Sequence, residues 1–131
     1  MNIVKSSAPD AGNDPTVNAL DAQYAVEVHA ASGAIVTTTG TVVITKLSAL
    51  AAMTLALPKA GLPSVGGNDG NTLNILSTTA EAHTITTPTN GINGGHTVIT
   101  FSAVADFAQL VAYNGTWWFT MGTPTNVTIT T

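Results

Sequence analysis

Cysteine is absent from these 131 residues, which excludes disulfides, thiolate nucleophiles and cysteine-ligated zinc or iron–sulfur centres. Arginine is absent too, and Lys5, Lys46 and Lys59 are the only lysines. Binding to phosphates draws on several such cations and reading of guanine on the arginine fork, so the chain lacks the means to hold nucleic acid. Its net charge of −4 sets it against DNA and anionic lipid alike, and neither nucleic acid nor a membrane is an expected partner. Long apolar runs are missing as well. The longest, "LSALAAMTLAL" from Leu47 to Leu57 between Lys46 and Pro58, is about half the ~20 residues of a membrane helix. The N-terminal stretch has one early lysine but no apolar segment of signal-peptide length, and the expectation is a soluble, unprocessed chain.

Charge of either sign is scarce: 8% of residues are Asp, Glu, Lys or Arg, against about 25% in an ordinary soluble domain. Threonine, serine, asparagine and glycine take their place, and threonine keeps a strand wettable while retaining β propensity. A surface with so little like-charge repulsion does not resist association, so assembly is the natural inference. The length fits one domain, which at this size buries roughly two thirds of its unfolded surface and needs no staple.

Residues 1–22 have no hydrophobic period and hold Pro9, Gly12, Pro15, Asp10, Asp14 and Asp21. That composition suits an extended N-terminal arm, either disordered or ordered by lying across a neighbour. From residue 23 to 131 the period is two almost throughout, as in strands. "YAVEVHA" sets Tyr24, Val26 and Val28 on one face and Glu27 and His29 on the other. "AIVT", "TVVIT", "MTLAL", "TLNIL", "HTITT", "HTVITF", "QLVAY", "TWWFTM" and "NVTIT" follow. "LVAYNGTWWF" predicts a type I′ hairpin at Asn114–Gly115, where both turn positions need positive φ. "GGNDG" at 66–70 is read as a hairpin turn, and "KLSALAAMT" as a short helix or a turn. Turn signals every 8 to 12 residues predict an all-β single domain, a jelly-roll-like sandwich or small barrel.

Few side chains are available for chemistry: beyond the arm the titratable set is Glu27, His29, Asp69, Glu81, His83, His96 and Asp106 with Lys46 and Lys59. General acid–base catalysis needs two or three such groups converging. Glu81 and His83 lie two apart and share a face if both are in a strand, but no GxSxG, HExxH, phosphate loop or calcium loop accompanies them. No catalytic residue is therefore assigned, and the chain is not expected to be an enzyme. The expected role of His83 is a hydrogen bond within a sheet or packing at a subunit interface. His29, His83 and His96 show no ligand spacing such as HxH, so no metal or cofactor is assigned. Alternation puts Trp117 and Phe119 on one face and Trp118 on the other. One face should be core, leaving the other for a subunit contact or for stacking on a sugar. Tyr24, His83, His96, Tyr113, Trp117, Trp118 and Phe119 form the candidate interface set.

Across "STTAEAHTIT" (77–86), "TVITF" (97–101) and "QLVAYNGTWWF" (109–119), preceded by the "AMTL" strand at 52–55, the sequence resembles small virion proteins of tailed bacteriophages. The likeness spans residues 40–130 and leaves the arm unmatched. It implies a head decoration, or cement, protein: a homotrimer made in the host cytoplasm, seated on the capsid surface of the virion against the major capsid protein. The arm would then be a clasp reaching onto a neighbour. The same likeness leaves a second expectation, a tail-fibre or receptor-binding module that turns its aromatics toward host glycans.

Overall fold

The computed structural model describes residues 25–120 and 127–131; the arm, Tyr24 and residues 121–126 lie outside them. The described residues form ten strands: β1 (Val26–His29), β2 (Gly33–Ile35), β3 (Gly40–Ile44), β4 (Ala52–Leu55), β5 (Thr72–Ser77), β6 (His83–Thr86), β7 (Val98–Phe101), β8 (Phe107–Tyr113), β9 (Thr116–Phe119) and β10 (Val127–Thr130). They make two five-stranded sheets, ordered β1-β3-β5-β8-β9 and β10-β7-β6-β4-β2. The two-layer all-β sandwich expected from the alternation is present.

Its winding is not the all-antiparallel one of a jelly roll. The first six strands alternate between layers, so that β1, β3 and β5 run parallel in one sheet and β2, β4 and β6 run parallel in the other. A parallel pair needs a crossover between its members, and here each crossover is a strand of the facing sheet, as in a β-solenoid. The last four strands then close the stack antiparallel, β8 on β5 and β9 on β8 in the first sheet, β7 on β6 and β10 on β7 in the second.

Period two explains the core. In the first sheet Val42, Ile44, Leu73, Ile75, Leu110 and Trp117 point inward, and in the second Met53, Leu55, Ile85, Ile99 and Phe101 meet them; all are buried. The Asn114–Gly115 hairpin is as predicted: φ is 50° and 82° at the two turn residues, with Tyr113 opposite Thr116.

One local expectation is corrected, and two that the sequence left open are decided. "GGNDG" is not a hairpin turn, because the strands it separates, β4 and β5, lie in different sheets. It belongs to a loop closed on itself by bonds from Asn68 N–H to the Lys59 carbonyl and from Asp69 N–H to the Gly61 carbonyl. "KLSALAAMT" forms no helix: Ser48 has φ of 70°, which interrupts any helical run, and β4 starts at Ala52. In β1 the two faces are grouped as the alternation predicts, and the polar one turns inward. Val26 and Val28 are 63% and 59% exposed, whereas Glu27 and His29 sit opposite Val42 and Ile44 on the inward side.

Candidate functional site

His83 opens β6 on the inward side, opposite Phe101, and is fully buried. Its Nδ1 accepts the Ala51 N–H at 2.9 Å, and its Nε2 lies 2.6 Å from Thr79 Oγ1. The Thr79 hydroxyl spends its proton on the Lys46 carbonyl, 2.7 Å away, so it meets the imidazole as an acceptor. The ring is thereby defined as the neutral tautomer with the proton on Nε2. Burial pushes its pKa down from 6.5; the Glu81 charge opposes that shift and Lys46 adds to it. Glu81 stands before the strand rather than in it, joined through its backbone carbonyl to the His83 N–H at 2.7 Å. The two side chains do not form the same-face pair that their spacing suggested.

Two other carboxylates serve the backbone. Glu27 accepts the Val36 N–H at 3.0 Å and the Thr37 N–H at 2.8 Å, and its Oε2 is 2.5 Å from His29 Nε2. Burial raises the Glu27 pKa, but the bond to His29 and the two backbone N–H groups outweigh it and hold the carboxyl below 4.5. Asp106 takes the Ser102 and Ala103 N–H groups at 2.9 and 2.8 Å, which shapes the turn into β8. These bonds stabilise loops. No three His, Asp or Glu side chains converge among the described residues, and the three histidines are placed apart in the sequence of strands.

The candidate interface set divides. Trp117 is fully buried, with Nε1 donating to the Ala56 carbonyl at 3.0 Å, and Phe119 packs at the margin of the core. His83 and Trp117 are both fully buried and present no surface to a partner, which leaves His83 the first of its two expected roles, a hydrogen bond inside the fold. His96 is half-buried in the turn before β7, its N–H bonded to the Ile92 carbonyl. Tyr113 and Trp118 are 62% and 38% exposed and adjoin, with the Trp118 indole N–H 3.3 Å from the Tyr113 carbonyl.

Strand register shows what the candidate set missed. The outer face of the first sheet carries Val28, Val43, Leu76 and Phe107 in one cross-strand row, and Val26, Thr41, Asn74 and Gln109 in the next. Thr72, Val111 and Trp118 make a third row. The outer face of the second sheet is built from Ala52, Thr84, Thr100 and Thr128 beside Ala34, Thr54, Thr86, Val98 and Thr130. Among the described residues, no charged side chain lies in these rows. Period-two reading could have found each strand's outward residues; the strand order that lines them up was beyond it. No protein-family model matches the chain, and a search of curated proteins returns no significant match.

Proposed function

We propose that the chain is a structural virion protein that binds the outer surface of an icosahedral phage capsid and stabilises contacts between major capsid subunits. The observation that carries this reading is the pair of uncharged sheet faces. Glu27, His83 and Asp106 are engaged with backbone groups, and what remains outward on the described strands is threonine, the amides of Asn74 and Gln109, and small or large apolar side chains. Such faces can be covered without the desolvation penalty that buried ions incur, which suits a protein whose work is contact over area. The likeness at residues 40–130 to small virion proteins supplies the partner, the major capsid protein, and the trimer. Catalysis has no part in this reading.

Exposed Tyr113 and Trp118 favour a second reading, a receptor-binding module that stacks host sugars on these rings. One experiment separates the two. Particles lacking the chain are incubated with the purified protein or with its Trp118→Ala variant, then assayed for heat resistance and for adsorption to host cells. The capsid reading predicts that heat resistance returns with the wild-type protein while adsorption is unchanged. Adsorption that needs Trp118, with no gain in heat resistance, would replace it by the second reading.

A further inference from the structure

We propose that Asn114, at the tip of the β8–β9 hairpin, is a site of spontaneous deamidation, and that the fold singles it out from two other Asn-Gly pairs. The inference goes beyond the capsid reading and does not depend on it.

Asn-Gly occurs three times in the chain, at Asn90–Gly91, Asn93–Gly94 and Asn114–Gly115. In an unfolded chain each pair is open to the same reaction. The backbone nitrogen of the glycine attacks Cγ of the asparagine; the new Cγ–N bond forms, the Cγ–Nδ2 bond breaks, and Nδ2 leaves as ammonia with the proton that the glycine nitrogen gives up. Water then opens the cyclic imide at either carbonyl, to aspartate or to isoaspartate. Glycine favours the step because it has no Cβ to hinder the approach. Ring closure needs a free glycine N–H, a free side-chain amide and room for the backbone to turn.

Folding removes these conditions at two of the pairs. The Gly91 N–H is donated to the Pro88 carbonyl at 3.0 Å, and the Gly91 carbonyl accepts the Trp117 N–H at 2.9 Å. Gly91 is also buried, so tightly that a Cβ there would fall 2.4 Å from Thr87 Oγ1 and 2.7 Å from Leu57 Cδ2. Asn93 is pinned twice: its Oδ1 accepts the Phe119 N–H at 3.0 Å, and its own N–H is donated to the Trp117 carbonyl at 2.9 Å. Asn114 differs on each count. It is exposed, and among the described residues neither its side-chain amide nor the Gly115 N–H has a hydrogen-bond partner. Only the Asn114 N–H is held, by Asp69 Oδ1 at 2.9 Å. The backbone has room as well, since the nearest atom to a Cβ at Gly115 would be the Pro58 carbonyl oxygen, 4.0 Å away.

The product disturbs the turn that made it. Aspartate at this position adds a negative charge to a chain of net charge −4, beside the Asp69 carboxylate, and like charges this close repel. Isoaspartate routes the main chain through Cβ, and the two-residue turn that sets Tyr113 opposite Thr116 has no place for the extra atom. Either product loosens the tie between the hairpin and the loop at 66–70, next to the exposed Tyr113 and Trp118.

The test is peptide mapping by mass spectrometry of the full chain aged at mildly alkaline pH, in buffer and, in parallel, unfolded in urea. In buffer Asn114 should convert about tenfold or more faster than Asn90 and Asn93, whose reaction waits on local opening of the fold. In urea the three rates should draw together. The aged, more acidic fraction, separated by anion exchange, should unfold at a lower urea concentration than the fresh protein. Conversion of Asn114 no faster than that of Asn90 or Asn93 in buffer would overturn the inference. So would an equal preference for Asn114 in urea, which would trace the selectivity to neighbouring residues and not to the fold. An unchanged unfolding midpoint would overturn the effect on the turn.

Discussion

His83 carries its proton on Nε2 because both ring nitrogens are committed, one to the Ala51 N–H and one to the Thr79 hydroxyl. A second proton on Nδ1 would break the first of these bonds and place a charge in the core. The folded pKa is lowered from 6.5, so as the pH falls the unfolded chain binds the proton first. The stability that the neutral ring contributes is complete above about pH 6.5 and drains away below it. His83→Gln should lower stability at pH 7.5 by about 1–3 kcal/mol, the usual penalty for unsatisfied buried groups, and should flatten the fall between pH 6.5 and 5. Chemical denaturation at both pH values measures both effects. A slope as steep in the variant as in the wild type would assign the pH dependence elsewhere. Glu27 acts in a lower window: its contribution is present above about pH 4.5 and is lost as the pH falls through the lower folded value. At this scale the sequence was legible only in part. That His83 would bond within the sheet could be expected, but its partners, Ala51 and Thr79, come from segments that no local pattern ties to β6.

Among the elements, the β8–β9 hairpin was the most readable, since Asn-Gly between two alternating runs has few other solutions. Gly115 at φ of 82° occupies a conformation that costs an L-residue about 1–2 kcal/mol. Gly115→Ala should destabilise the fold by that amount in thermal or urea unfolding, and an unchanged midpoint would contradict the turn assignment. Gly67 is a different case, since a Cβ there would collide with the Gly61 backbone carbonyl; the loop before β5 depends on that close approach. Which face of β1 turns inward was not legible, for a physical reason. Alternation specifies two faces but not which of them turns inward, and hydrophobicity normally decides that. In β1 the carboxylate has backbone N–H groups of the chain following β2 to satisfy, so Glu27 goes in and Val26 and Val28 stay out. An inward charge on an edge strand also discourages further strands from adding there.

For the whole molecule, alternation and turn spacing were enough to predict an all-β sandwich, because period two with one buried face leaves two packed sheets as the natural arrangement. The winding was hidden. β1, β3 and β5 pair across intervening strands of the other layer, and long-range pairing of this kind leaves no mark on residues close in sequence. The uncharged faces were half visible: the shortage of charge is plain in the composition, but Val28, Val43, Leu76 and Phe107 become one row only when four strands are in register. In the proposed reading, assembly through such faces links this fold to a role in a virion. The most direct measurement of that role is the copy number of the chain relative to the major capsid protein in purified particles, by quantitative mass spectrometry. A ratio near that of the capsid protein itself is the predicted result, and a ratio many times lower would contradict a place on the capsid surface.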